Sequence, residues 1–182
     1  MLLKFNRRFV SMSLNLYAVS VPVFQRYLKQ LSSMLDLAQS QIEAGAISEP
    51  DLLATRLAPD MLPLRSQVEV AGGFVLRALA PLLGRELPAF GEYPAGLAGL
   101  QELIRARQAW LAELTPEMFL GAEAKQIRGD AGHATITLPA VDFLAQFALP
   151  NFFFHLSCAY AILRQQGVTL SKEDFDGLHR WR

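Results

Sequence analysis

Asn151 and His155 stand one helical turn apart in the run Leu149-Pro150-Asn151-Phe152-Phe153-Phe154-His155. A carboxamide and an imidazole on one helix face, just past a proline and among apolar walls, can orient a small ligand. The same pair has a plainer use. A buried histidine needs one hydrogen bond to be satisfied, and an asparagine can take up backbone groups freed by Pro150. Tyr160, Gln67, Arg56 and Asp60 complete the ligand-pocket candidates. Arg56 and Asp60 also read as a capping acid with a local ion pair, worth about 0.5 kcal/mol. If the chain is an enzyme, His155 is the acid/base group to expect.

Other chemistries find little support. No serine sits in a glycine-flanked elbow, and no glycine loop follows a strand to cradle phosphate. Gly72-Gly73 lies inside a helical pattern, where it favours a close helix contact. Cys158 is the only cysteine, so no intrachain disulfide can form and a reducing cytoplasm is the expected compartment. With no cation near it in sequence, it reads as an inert core thiol. Lys plus Arg and Asp plus Glu both number 17, which gives no global field to recruit nucleic acid. The basic residues Lys4, Arg7, Arg8, Arg26 and Lys29 do precede the first acid, Asp36. Three of them interrupt the apolar start, so it does not read as a secretory signal. Residues 1–12 are expected to be a loosely ordered leader, 13–178 one helical domain and 179–182 a tail.

The elements that would position these residues are mainly helices. Tyr17, Val21, Phe24, Leu28, Leu31, Leu35, Ala38 and Ile42 step by four and three, the seam of a helix that Gly45 stops. Ser48, Pro50 and Asp51 predict a short helix with a capping-box acid. A second long helix is predicted from Asp60 or Met61, with the seam Met61, Leu64, Val68, Ala71, Val75, Ala78 and Leu82. Gly84 to Pro94 reads as a loop. A third helix, roughly Ala95 to Leu114, has its seam interrupted by Arg107. That side chain should meet an acid such as Asp36 or Asp60, or snorkel outwards. Within Lys125 to Leu138 the β-branched alternation predicts a small hairpin, with its turn at Gly129-Asp130-Ala131-Gly132.

From Phe143 to Leu163 no residue is charged, a length that could cross a bilayer. Gln146, Pro150, Asn151, His155 and Ser157 interrupt that span, so a helix buried at the bundle centre is favoured over a membrane segment. Pro150 should kink it and free the Gln146 carbonyl, for which Gln146 and Asn151 offer the nearest amides.

Four ordered motifs then carry a resemblance. Leu14-Asn15-Leu16-Tyr17 with Ser20-Val21-Pro22-Val23-Phe24 is similar to the opening of the bacterial domain-of-unknown-function family nineteen-ninety-three. The segments Arg56-Leu57-Ala58-Pro59-Asp60-Met61, Leu149 to His155, and Ala159-Tyr160-Ala161-Ile162-Leu163-Arg164 match as well. The resemblance runs from Leu14 to Gly177, with Ser171 and Asp176 departing from the family's ending. It implies an all-α four-helix bundle of the DinB/YfiT-like kind, often homodimeric, with a short extra helix and the hairpin as additions. Relatives of that kind that bind a divalent metal use one histidine from the second long helix and two, four apart, from the last. Here the second helix has no histidine and the last has only His155, although Glu69 could in principle replace one ligand. The expected function is therefore a small-ligand-binding or protein-interaction module without metal or other cofactor. Its expected partners are a second copy and a small molecule, with neither nucleic acid nor membrane. The alternative is a DinB-like enzyme, metal-dependent or using His155.

Overall fold

The computed structural model describes residues 15–180. The leader at 1–12 and Leu14 lie outside the described residues. The first seam becomes α1 (Val21–Glu43), which buries Val21, Phe24, Leu28, Leu31, Leu35 and Ala38. Pro22 in its first turn fixes the start, because proline presets the helical φ and lacks a donor that would be orphaned there anyway. Tyr17 lies in the turn ahead of the helix. Helix α2 (Glu49–Ala54) also carries a proline in its first turn, but the expected capping box is absent: Ser48 makes no side-chain cap bond. Its Glu49 instead accepts a 2.7 Å bond from the backbone N–H of Leu97 and so caps a later helix.

Helix α3 (Leu64–Leu83) begins later than the Asp60 or Met61 start, because Pro63 holds an extended conformation before its first turn. Helix α4 (Leu97–Ala112) buries Leu97, Leu100, Ile104 and Leu111, with Arg107 interrupting that buried face as expected. Strands β1 (Gln126–Ala131) and β2 (Ala134–Pro139) form an antiparallel hairpin in which Ile127 pairs with Leu138 and Asp130 with Thr135. Its turn falls at Gly132-His133, so Gly129 to Ala131, expected as the turn, belong to β1. Gly132 takes the left-handed φ of 66° that the tight reversal requires.

The last stretch comprises α5 (Ala140–Asp142), a wide turn over Phe143–Ala148, α6 (Leu149–Gln165) and α7 (Lys172–Asp176). The wide turn is π-helical, and the Leu149 N–H reaches back five residues to the Leu144 carbonyl. That register shift places Pro150 in the first turn of α6, where a missing donor costs least. Asn151 Nδ2 donates to the Phe147 carbonyl at 2.7 Å, one residue on from the carbonyl expected to need it. Gln146 Nε2 turns to Asp142 at 2.9 Å.

The chain is mainly helical with this one small sheet among the described residues. Helices α1, α3, α4 and α6 pack side by side, and α3 against α6 is the most extensive contact. The centre is α3 and not α6. Ala71, Gly72, Gly73, Ala78 and Ala80 let neighbours approach α3 on several sides, and all are buried. Helix α6 keeps one face open: Phe154 is 55 % exposed, and Ser157 and Arg164 are exposed beside it. No helix among the described residues is long and apolar enough to cross a membrane.

Candidate functional site

Gln67 and His155 meet across the α3–α6 contact. His155 Nδ1 lies 2.7 Å from Gln67 Oε1, while Gln67 Nε2 donates to the Leu62 carbonyl at 3.0 Å. With its N–H₂ committed to that carbonyl, the amide offers only oxygen to the ring, so Nδ1 must be the protonated nitrogen. The other nitrogen, Nε2, keeps its lone pair. Among the described residues no buried side-chain nitrogen or oxygen lacks a partner, so Nε2 is not sealed in the core. Phe74 stacks on the ring at 6.0 Å and Phe154 meets it edge-on at 5.2 Å. Burial, and then the charge of Arg77, lower the imidazole pKa below its ordinary value and favour the neutral base.

The other candidates lie apart. Asn151 is one turn from His155 and spends its N–H₂ on Phe147. Tyr160 accepts a 3.4 Å bond from Arg164 and packs against Phe175 of α7 at 5.3 Å, away from Gln67. Arg56 is exposed and donates to the Met61 carbonyl in place of the expected ion pair with Asp60, which is also exposed and does not cap α3. Cys158 is buried, and that burial pushes its thiol pKa up. It stays a thiol.

One recess rich in charged and aromatic side chains was not singled out by sequence. A cleft of about 450 Å³ opens between α3, α4 and the loop of residues 84–96, lined among others by Arg65, Glu69, Arg77, Phe90, Tyr93 and Arg107. Arg65 and Glu69 pair across one helical turn at 2.8 Å. Arg77 lies over the Phe90 ring at 5.5 Å and over Phe74 at 5.6 Å, so it links the cleft to the ring that stacks on His155. Arg107 is only 5 % exposed. It neither meets Asp36 or Asp60 nor snorkels out. Its guanidinium turns inward to the Gly72 carbonyl at 3.2 Å, the Tyr93 hydroxyl at 3.3 Å and the Phe90 carbonyl at 2.5 Å. Gly72 makes this possible: a Cβ there would lie 2.4 Å from Leu103 Cδ2, so α3 and α4 approach at a glycine. The interrupted seam of α4 was the signal, but which partner the arginine would take depends on the loop's path.

The donor set does not fit a divalent transition metal. Gln67 spends its oxygen on His155, Asn151 points its amide at backbone, and Glu69 pairs with Arg65 in the cleft wall. Carboxamides are poor ligands for such ions in any case. Among the described residues no group of three His, Cys, Asp or Glu side chains could hold a metal ion.

The long helices α1, α3, α4 and α6, with the small hairpin beside them, give the fold of a DinB-like protein. In agreement, the chain is similar to the crystal structure of a DinB family member protein from Shewanella denitrificans. The TM-score is 0.82 and the identity 30 %, over 92 % of this chain and 94 % of that one. Residues 16–176 match the model of the family described as domain of unknown function (DUF1993), and the chain belongs to that family. No curated protein matches it.

Proposed function

We propose that this chain is a four-helix-bundle module that binds a small molecule without a metal, in the cleft between α3, α4 and the 84–96 loop. The observation that carries this is Arg107, a buried guanidinium in the wall of a recess of ligand size. The absence of a fitting metal donor set at Gln67, Asn151 and His155 supports the non-metal half. A homodimer in a reducing cytoplasm is the proposed setting, on the family resemblance and the single cysteine.

A thermal-shift screen with neutral, cationic and anionic small molecules tests the reading. Val70 lines the cleft, and Val70→Phe would crowd it while leaving Arg107 itself unchanged. Hits that vanish in Val70→Phe support the cleft; a screen without hits, or hits indifferent to that change, sinks it. Elemental analysis showing about one metal per chain overturns the non-metal half.

A second reading rests on His155. A neutral imidazole with Nδ1–H held by Gln67 and Nε2 open is prepared to act as a base. It predicts that a bound ligand is converted, with product detected by mass spectrometry and lost in His155→Gln.

A further inference from the structure

Arg107 presents a charge problem that its neighbours do not solve. A guanidinium stays protonated at any physiological pH, and burying a charge without a counter-charge is costly. All three of its partners are formally neutral: two backbone carbonyls and the Tyr93 hydroxyl. Among the described residues no carboxylate lies within 4 Å of it. Those bonds use one N–H on each of its three nitrogens, so two of the five N–H donors make no protein hydrogen bond, and Arg107 is one of the residues lining the cleft.

The rest of the lining is consistent with one negative charge arriving from outside. Arg65 and Glu69 neutralise each other. That leaves Arg77 and Arg107 against Glu92, an excess of one positive charge. The remaining wall is apolar and aromatic, with Val70, Phe90, Tyr93 and Leu103.

We infer that the cleft takes a small organic monoanion, a carboxylic acid with a flat apolar body, its carboxylate on the open N–H groups of Arg107. The inference rests on the ligand-binding reading above and names the ligand's class. The carboxylate supplies the missing counter-charge, and the guanidinium fork suits its two oxygens. The body covers the aromatic wall, and Arg77 at the rim adds a second attraction.

Calorimetric titration with 3-phenylpropionate and its neutral isostere 3-phenylpropanamide tests this. The acid is expected to bind saturably, and the amide about tenfold more weakly or worse, the loss typical of a charge-assisted hydrogen bond. Val70→Phe should abolish binding of the acid with the circular dichroism unchanged. Arg107→Lys should weaken it about tenfold, since an ammonium cannot reproduce the fork. Where Arg107→Lys fails to fold, Val70→Phe and the amide carry the result. Amide and acid binding alike would keep the cleft as a ligand site and overturn the anion. A second, smaller cleft holds Arg85 and Arg128 with Arg77. Acid binding lost in Arg85→Gln but kept in Val70→Phe would place the anion there and overturn the assignment. No binding of the acid overturns it as well, whereas the ligand reading itself stands or falls on the wider screen.

Discussion

His155 Nδ1 sits 2.7 Å from Gln67 Oε1 across the α3–α6 contact, and Gln67 is only 1 % exposed. Both groups give up water to make that bond. Gln67→Leu would leave the Nδ1–H and the Leu62 carbonyl without partners, and should cost about 1–3 kcal/mol. Replacing both partners, as Gln67→Leu with His155→Phe, should recover most of that loss, because an apolar pair leaves fewer polar groups stranded. Denaturant unfolding of the two single variants and the double variant measures the coupling. Simple additivity would mean that the bond contributes nothing of its own.

The same imidazole sets a pH dependence. Burial, and then Arg77, lower its pKa, so the unfolded chain takes up a proton at higher pH than the folded one. Its contribution to stability is therefore complete above the ordinary histidine value of about 6.5 and is lost as pH falls from there through the lower folded value. Arg77→Gln should raise the folded value while leaving it below ordinary, because burial remains. Following the His155 ring protons by NMR titration decides it; an unchanged midpoint would assign the whole effect to burial.

Much of this was legible in the residues and some was not, for identifiable reasons. The α1 seam appears where the four-and-three spacing put it, because side chains at that period share a face whatever they pack against. Helix α6 reads as the most apolar segment, yet α3 is the centre. Closeness of approach follows from small residues such as Gly72 and Ala78, which a search for apolar runs undervalues. Pro150 announced an irregularity, but its form, a π turn at Phe143–Ala148, depends on how Phe143 and Phe147 pack. The pairing of Gln67 with His155 joins residues 88 apart in sequence, and the inward turn of Arg107 depends on a loop whose path no periodicity encodes.

Asp176 is a buried carboxylate at the end of α7, and the structure gives it work. Its carboxylate accepts from the backbone N–H groups of Leu178 at 2.8 Å and His179 at 3.1 Å, and also meets the His179 ring. Those bonds, the Leu178 one foremost, push its pKa down from 3.8 to about 2. A depressed carboxyl stabilises the fold above its unfolded value and loses that contribution as pH falls through about 2. Asp176→Asn should therefore flatten the stability profile on the acid side of pH 4. Acid titrations of both proteins, followed by circular dichroism, compare the slopes; parallel curves would show that the ordinary carboxyl value holds in the folded chain.

Gly99 ties the cleft loop to α4 and should tolerate no side chain. A Cβ there would lie 1.9 Å from the Pro94 carbonyl oxygen and 2.7 Å from the Pro94 carbonyl carbon. Both are backbone atoms, so relief requires the loop to move and cannot come from a rotamer change. In an open helix Gly→Ala gains up to about 1 kcal/mol from propensity. Here the collision should outweigh that gain and leave the variant about 1–3 kcal/mol less stable. The displaced segment holds Tyr93 and Phe90, which receive the Arg107 N–H groups. Gly99→Ala should consequently weaken any cleft ligand as well as lowering the thermal midpoint. A Gly99→Ala protein as stable as the parent, with unchanged ligand binding, would show that Pro94 yields freely and that the cleft wall is not fixed through this contact.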